Sequence, residues 1–207
     1  MSASDTAYEF VKGGILSGEL TPGTFLTEGQ VAQEIGASRT PVREALLRLQ
    51  GEGMVELFPK KGALVIPPTT RETRETFEVR ALIEEWAATK VWPHRADTIP
   101  ELRARLDEMI AAMKVDDVSA FSAADRTFHE IVVEAAGNSV IARQYSHLRD
   151  RQIVIVAGNL RGDKSRMASS VRQHRELLKL LESGTRAAFV RACREHVNHA
   201  TSLATTR

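Results

Sequence analysis

The stretch that most constrains this chain runs from residue 27 to residue 58, where two short helices and a strand can be read from the sequence. Thr27 and Gln30 have the spacing of a capping box, which predicts a helix start. Gly36 predicts the end of that helix, because glycine most easily adopts the left-handed backbone found there. Ser38 is a favourable N-cap for a second helix. The apolar positions of the second helix recur at helical spacing: Val42, Ala45, Leu46 and Leu49.

Two arginines lie at the start of this second helix. Arg39 and Arg43 are four residues apart, so they share one face of the helix. In a helix-turn-helix the second helix lies in the major groove of DNA, and its N-terminal residues contact base edges. The alternative is that both arginines are ordinary solvated side chains. For an arbitrary helix the solvated interpretation would be preferred, and contact with DNA is favoured by the wider sequence context described next.

A β-hairpin is predicted directly after the second helix. Residues 54–58 and 63–67 are rich in Val, Leu and Ile, and the turn-forming sequence PKKG lies between them. Such a hairpin would form a wing with a basic tip. We expect Lys60 and Lys61 to face DNA phosphates, and Gly62 to allow a close approach of the backbone.

Residues 20–65 resemble the winged helix of the GntR family of bacterial transcription regulators. The matching elements are the L-x-P-G-x-x-L entry at 20–26, the SRTPVREAL run at 38–46, the L-x-x-x-G at 49–53 and the KG of the wing. The resemblance implies binding to double-stranded operator DNA. The implied DNA-binding residues are Ser38, Arg39, Thr40, Arg43, Lys60, Lys61 and Gly62.

Composition excludes several classes of protein. The net charge of +1 over 207 residues does not by itself indicate a nucleic-acid partner. The single Cys193 excludes an internal disulfide framework and suits a reducing compartment. No apolar run reaches the ~18 residues of a membrane span, and the N-terminus lacks a secretory pattern. We therefore expect a cytoplasmic protein with no membrane partner.

Pro67 and Pro68 form a short stiff linker, which divides the chain into a winged helix-turn-helix domain at 1–67 and a second domain at 68–207. Every segment of the second domain has helical periodicity. The predicted helices are 6–17 in the first domain and 70–92, 98–114, 118–136, 138–158, 166–183 and 185–204 in the second, with an optional break near Arg149. The predicted fold is mostly α: a winged helix-turn-helix with a small β-hairpin wing, followed by an antiparallel all-α bundle of about six helices.

Four possible metal ligands lie at positions that such a bundle would bring together. Asp125 and His129 are four residues apart on one predicted helix, so they point the same way. His174 lies ten residues before the last predicted turn and His196 twelve residues after it. A rise of ~1.5 Å per residue places these two histidines at similar heights on antiparallel helices. One carboxylate and three imidazoles suit a divalent ion such as Zn²⁺ or Ni²⁺.

Spacing alone leaves two alternatives open: each histidine could simply be packed in the core, or His199 could take the place of His196. The same segments, however, resemble the FCD effector domain of the FadR-type subgroup of GntR regulators. The matching motifs are R-A-L-I-E-x-x-A-A at 80–88, D-x-x-x-H-x-x-x-x-x-A-x-G-N at 125–138, H-R-x-L-x-x-L at 174–180 and the first histidine of REHVNHA. The resemblance assigns the metal to Asp125, His129, His174 and His196. His94, His147 and His199 match no ligand position, and we expect them to be structural or surface residues.

An octahedral ion with four protein ligands leaves two open positions, which members of this subgroup fill with water or a small carboxylate metabolite. Arg80 is a candidate partner for that carboxylate, because guanidinium binds carboxylate bidentately. The alternative is an ion pair between Arg80 and Glu84 within the helix. Arg149 and Arg151 are further candidates of the same kind.

Together these patterns predict a metabolite-responsive regulator, a repressor, that binds a palindromic operator as a homodimer and senses a small organic acid at a metal site. The first alternative is a metal-dependent enzyme that activates water at the same four ligands. The sequence shows no obvious general base beside them, and an enzyme would not need residues 20–66. The second alternative, a metal-free sensor of a long acyl thioester, is disfavoured by the complete set of ligands.

Overall fold

The computed structural model describes the backbone of residues 1–160 and 164–205 and the side chains of residues 1–150 and 164–202. The chain divides into two compact units, Met1–Pro68 and Thr69–Arg207. The fold is mostly helical, with a winged helix-turn-helix in the first unit and helices alone in the described part of the second. It confirms the predicted fold class. Among the described helices, none combines the length and the hydropathy needed to span a membrane.

The first unit contains three helices and three short strands: α1 (Ala3–Ser17), β1 (Phe25–Leu26), α2 (Glu28–Glu34), α3 (Arg39–Gly51), β2 (Val55–Phe58) and β3 (Gly62–Val65). Helix α2 begins at the predicted capping box of Thr27 and Gln30. Helix α1 begins three residues earlier than predicted, because Ser2 and Asp5 form a capping box of their own.

Helix α3 forms the centre of the first unit. Its four predicted core residues, Val42, Ala45, Leu46 and Leu49, are completely buried. Complete burial of a Val or Leu side chain contributes about 1.5–3 kcal/mol, so this stripe fixes which face of α3 points outward. Arg39 and Arg43 lie on the flank of this stripe, and both are exposed.

The wing is part of a three-stranded antiparallel sheet with the order β1-β3-β2. The predicted β2–β3 hairpin is present, with Val55 paired to Val65 and Phe58 to Gly62. Strand β1 was not predicted from the sequence, and it pairs with the other edge of β3. A strand of two residues has no alternation to detect.

Gly62 lies where β3 meets β1. Its φ is +136°, and a Cβ placed there would lie 2.1 Å from the carbonyl oxygen of Leu26. The glycine therefore permits close contact between two strands of the protein. This role differs from the close approach to DNA that the sequence suggested for it.

The second unit contains six α-helices and one 3₁₀ turn: α4 (Thr70–Val91), the turn Trp92–His94, α5 (Arg95–Val115), α6 (Val118–Ala135), α7 (Ser139–Leu160), α8 (Lys164–Ser183) and α9 (Arg186–Thr205). Helix α4 packs against α6, α7 and α9. An apolar core lies between these helices, and it includes Phe121, Phe128, Leu181 and Phe189.

The largest differences from the prediction in this unit concern helices α5 and α7. Helix α5 starts at Arg95 rather than at residue 98, with Pro100 inside it; a proline this near the N-terminus removes only one early hydrogen bond. The suggested break in α7 near Arg149 was wrong, because the helix is continuous from Ser139 to Leu160. The charged pair Arg149 and Asp150 projects sideways onto α6 and forms ion pairs there, so the helix does not need to open.

Candidate metal centre and DNA-binding surface

Three histidine side chains from three different helices meet inside the second unit. His129 comes from α6, His174 from α8 and His196 from α9, and all three are buried. The Nε2 atom of His129 lies 3.1 Å from Nε2 of His174 and 3.2 Å from Nε2 of His196. One ring nitrogen from each histidine lies within 4.8 Å of the other two.

The other ring nitrogen of each histidine faces a hydrogen-bond acceptor. Nδ1 of His129 lies 3.0 Å from Oε2 of Glu84. Nδ1 of His174 lies 2.9 Å from the carbonyl oxygen of Ser170, and Nδ1 of His196 lies 2.7 Å from Oε1 of Gln173. A neutral imidazole has one N–H, and an acceptor at Nδ1 holds that hydrogen there. The three Nε2 lone pairs therefore converge on one point, which is the arrangement that a bound cation requires.

Burial keeps these imidazoles neutral. Loss of solvent lowers the pKa of His129 from 6.5 to about 4, against the opposing effect of Glu84. Loss of solvent also lowers the pKa of His174. The pKa of His196 is held well below its usual value by burial and by the two neighbouring imidazoles. All three rings are thus in the form that binds metal at neutral pH.

Asp125 lies beside the three histidines. Its Oδ1 atom is 3.3 Å from Nε2 of His174, and its Oδ2 atom accepts a hydrogen bond of 2.6 Å from Arg149. Burial alone would raise the pKa of Asp125, but the positive charges of Arg149 and Arg80 outweigh it and hold that pKa below its usual range. The structure thus groups the three predicted histidines in one cluster and places Asp125 beside His174, and metal binding itself stays a prediction.

The separations between the histidine nitrogens bear on whether one ion could bind them together. Two nitrogens bound about 2.1 Å from one ion lie about 3.0 Å apart at a right angle and about 3.4 Å apart at the tetrahedral angle. The observed 3.1 Å is nearer to the right-angle value, and the observed 3.2 Å lies midway between the two values. Both separations lie within the range that one ion bound to these nitrogens would give.

Arg80 reaches this cluster from α4. Its Nε atom pairs with Glu84 four residues later, which is the alternative role that the sequence suggested for Arg80. Its Nη2 atom lies 3.0 Å from Nε2 of His129, so the guanidinium also faces the point where the histidines converge. Arg80 is only 1% exposed. Arg80 therefore forms the ion pair with Glu84 and also lies beside the candidate metal ligands.

Glu84, Tyr145 and Gln173 were not predicted as part of the site. Glu84 joins three neighbours, because it pairs with Arg80, accepts a hydrogen bond from the Tyr145 hydroxyl and faces Nδ1 of His129. Arg80 holds the pKa of Glu84 well below its usual range, although burial alone would raise it. The i, i+4 spacing of Arg80 and Glu84 was the one available signal, whereas nothing in the sequence marked Tyr145.

The remaining candidates lie as follows. Arg149 contacts Asp125 and is 1% exposed, and the side chain of Arg151 is outside the described residues. His94, His147 and His199 are exposed. The histidine cluster therefore includes His196 rather than His199.

The predicted DNA-binding residues lie at the surface of the first unit. Ser38, Arg39, Thr40, Arg43, Lys60 and Lys61 are exposed, and Gly62 is half-buried. Ser38 is the N-cap residue of α3, but its side chain makes no capping hydrogen bond, so the hydroxyl can bond elsewhere. Lys60 occupies the tip of the wing with a left-handed φ of +63°.

Comparison with known families adds two matches. The family described as "Bacterial regulatory proteins, gntR family" matches residues 3–65, and the FCD domain matches residues 75–199. The first matched range includes α1 and the wing. The second includes the four candidate metal ligands.

Several curated proteins are similar to this chain. An uncharacterized HTH-type transcriptional regulator from Agrobacterium vitis, in the TAR-I ttuE-ttuC' intergenic region, is 34% identical over 134 residues, covering 63% of this chain and 78% of that protein. The gluconate operon transcriptional repressor of Bacillus subtilis (strain 168) is 33% identical over 144 residues, covering 69% of this chain. That alignment spans only 58% of the repressor's own length.

Solved structures share the fold at lower identity. A transcriptional regulator from Rhodococcus sp. RHA1 superposes with a TM-score of 0.89 at 19% identity, covering 99% of this chain and 98% of that one. McbR/YncC of E. coli superposes with a TM-score of 0.86 at 19% identity, covering 99% and 97%. At this identity the likeness shows the fold alone.

Proposed function

This chain belongs to the GntR family of bacterial regulatory proteins and carries an FCD domain, and from that premise we propose how its two units act. The chain is a transcription regulator. We propose that it is a repressor which binds a palindromic operator as a homodimer. We further propose that a small organic acid, bound at a divalent metal ion in the second unit, changes its affinity for that operator.

One observation carries the sensing half of the proposal: three buried imidazoles turn their Nε2 lone pairs toward one point because an acceptor holds each Nδ1 hydrogen. His129, His174 and His196 would hold the ion together with Asp125. Nitrogen and carboxylate ligands of this kind suit Zn²⁺ or Ni²⁺. When bound, such an ion supplies positive charge and open positions for a carboxylate. The chain itself contributes two buried guanidinium groups beside that position, Arg80 and Arg149.

The DNA half rests on the exposed face of α3. Arg39 and Arg43 lie exposed on its first two turns, where a recognition helix meets base edges. One such helix makes few contacts. Two copies related by a two-fold axis would read two half-sites about one helical turn apart.

The metal-dependent enzyme considered as an alternative is not supported. Both matched domains and the named relatives belong to transcription regulators. The sensor of a long acyl tail also gains no support. The cavity beside His129, lined by Leu177, Phe189 and Cys193 among others, measures about 10 Å³, which is about the volume that one water molecule needs.

The proposal is tested by selecting binding sites from a random pool of duplex DNA with the full chain, loaded with Zn²⁺ or treated with a chelator. We expect a palindromic sequence to be enriched, and light scattering to report a dimer at micromolar concentration. Recovery of no preferred sequence, or a monomer both with and without the selected duplex, would count against the DNA half of the proposal.

Replacement of Arg43 by alanine should weaken binding to the selected duplex by about 1–3 kcal/mol, the usual worth of a bidentate contact to a base. The effect should disappear on scrambled duplex, because the lost contact reads sequence. Fluorescence anisotropy with both duplexes measures this. Equal affinity of wild type and the double variant Arg39→Ala/Arg43→Ala, with intact folding, would contradict the groove assignment.

Replacement of Lys60 by alanine should act differently, because a phosphate contact carries no sequence information. We expect binding to selected and scrambled duplexes to weaken by similar factors. The slope of log affinity against log salt concentration should become shallower by about one unit. Loss confined to the selected duplex would show that Lys60 contacts a base instead.

Retention of metal should extend to unusually low pH. Protons compete with an ion only where a histidine takes one up, and burial lowers the pKa of His129 to about 4. We therefore expect bound Zn²⁺ to be retained from pH 7 to about pH 5 and lost near pH 4, whereas unperturbed histidines take up protons near pH 6.5. Dialysis at each pH followed by elemental analysis measures this, and release by pH 6 would contradict it.

The lowered pKa values of the histidines also determine how the folding stability of the metal-free protein changes with pH. In the unfolded chain these histidines take up protons near pH 6.5, and in the folded chain they do so only at lower pH. The unfolded state thus binds more protons as the pH falls. Folding stability contributed by these histidines is present above pH 6.5 and is lost as the pH falls toward 4.

A further inference from the structure

Helix α3 carries a leucine that is not part of the core. Leu47 is 53% exposed, whereas the nearby Leu46 and Leu49 are completely buried. Single apolar side chains are common on protein surfaces, so exposure alone does not indicate a function. The direction in which Leu47 points on this helix does.

Leu47 lies on the line of α3 that points directly away from the core. Successive residues of a helix are about 100° apart. On that count Thr40, Glu44 and Leu47 lie within about 30° of the direction opposite the buried stripe, and all three are exposed. Arg39 and Arg43 lie between this line and the stripe. A partner that meets the outer face of α3 would therefore contact Thr40, Glu44 and Leu47.

The length of this outward line fits a recognition helix. Thr40 and Leu47 are seven residues apart, which is about 10 Å along the helix axis. The major groove is about 12 Å wide, and homeodomains read bases with side chains spread over about two helical turns. Leu47 can therefore lie in the groove together with Thr40 and with Arg43, which precedes it by one turn.

The side chains on this line suit base edges rather than the DNA backbone. Phosphates are bound by positive charge and by N–H or O–H donors. Leu47 has neither, and the carboxylate of Glu44 would repel a phosphate. Among the groups that bases present in the major groove, the C5-methyl group of thymine is apolar, whereas the others are hydrogen-bond donors and acceptors. A leucine that enters the groove is therefore matched by thymine.

We propose that Leu47 is a specificity-determining residue, which packs against the C5-methyl group of one thymine in each half-site of the operator. The inference rests on the proposed placement of α3 in the major groove, and it names a base which that placement selects. The thymine lies next to the base that Arg43 contacts, because residues four apart are neighbours on a helix surface. Contact of the leucine with the methyl group removes apolar surface of both partners from water.

Replacement of thymine by deoxyuridine in the selected duplex tests this contact, because uracil lacks the methyl group and keeps the same base pairing. Each thymine of the half-site is replaced in turn, together with its symmetry mate, and the affinity of the full chain is measured by fluorescence anisotropy. We expect one position next to the base read by Arg43 at which the wild type binds about tenfold more weakly, since two methyl contacts are lost.

Three variants assign this methyl dependence to Leu47. Leu47→Ala should bind the thymine and uracil duplexes within about twofold of each other, because the shorter side chain does not reach the methyl group. Leu47→Met conserves volume and apolar character and should keep the dependence. Phe10→Ala, at a residue that is 44% exposed on α1, is the matched control and should keep the wild-type profile. Urea unfolding checks that each variant folds, and the wild-type scan stands even where a variant does not.

The outcomes separate this inference from the proposal on which it rests. Recovery of no preferred sequence overturns the DNA half of the proposal and this inference with it. A selected half-site without thymine, a wild type that is indifferent to every deoxyuridine, or a methyl dependence that persists in Leu47→Ala overturns the Leu47 contact alone. Persistence of that dependence in Leu47→Ala, together with loss of the dimer in light scattering, would show that Leu47 packs against a second copy of the chain instead.

Discussion

His174→Ala is expected to lose bound metal and to lose the response to effector while operator affinity remains that of the wild type. His174 is the most completely buried of the three histidines, and it lies between His129 and Asp125. Its removal would take one of three nitrogen ligands from the proposed ion. Residues 20–66 are unchanged, so the DNA-binding surface is intact.

The measurement combines elemental analysis, thermal unfolding with and without Zn²⁺, and titration of the protein–operator complex with the acid. A ligand that binds only the folded state at 100 times its Kd stabilises it by about 2.7 kcal/mol, so the wild type should melt several degrees higher with metal. We expect no such shift in His174→Ala or in His196→Ala. His94→Ala, at an exposed histidine, is the matched control and should behave as wild type. A His174→Ala variant that still responds to effector would show that these histidines only pack the core.

Gly62→Ala is expected to destabilise the first unit by at least about 3 kcal/mol and to abolish operator binding, although no charge is lost. A left-handed or related backbone costs a non-glycine residue about 1–3 kcal/mol. A Cβ at this position also meets the carbonyl oxygen of Leu26 at 2.1 Å. Relief of that contact requires β1 or β3 to move, and the wing moves with them.

Gly51→Ala is the matched control for this variant. Gly51 ends helix α3, and a Cβ placed there meets no atom within 4 Å, so the substitution should be neutral or slightly stabilising. Urea unfolding and anisotropy with the selected duplex compare the two variants. If Gly62→Ala keeps wild-type stability and operator affinity, then strands β1 and β3 are not held together as the structure indicates.

Local sequence signals predicted much of the fold. The capping box at Thr27 and the buried stripe from Val42 to Leu49 depend on residues within one or two turns of each other, so they can be read without tertiary information. The predicted alignment of His174 and His196 also needed only the length of a helical hairpin. In the structure His174 and His196 lie at similar heights on their two helices, as the number of residues between each histidine and the turn predicted.

The parts that were missed depend on contacts distant in sequence. Strand β1 is two residues long and exists because β3 offers an edge to it. The acceptors behind the histidines are a carboxylate, a backbone carbonyl and an amide oxygen, and these share no sequence pattern. Tyr145 joins the site from α7 across 61 residues of chain. No local periodicity records such a contact.

The unequal acceptors behind the three histidines have a consequence for the rate at which an ion would leave. A carboxylate behind His129 makes that imidazole the strongest electron donor of the three, since a charged acceptor raises the basicity of the ring. His174 and His196 are backed only by neutral oxygens, and His196 is the most exposed of the three at 8%. We expect the bond to His196 to open first and the bond to His129 last. Metal would thus exchange stepwise from one side, and His129 would retain the ion while an incoming carboxylate takes the place that His196 vacates.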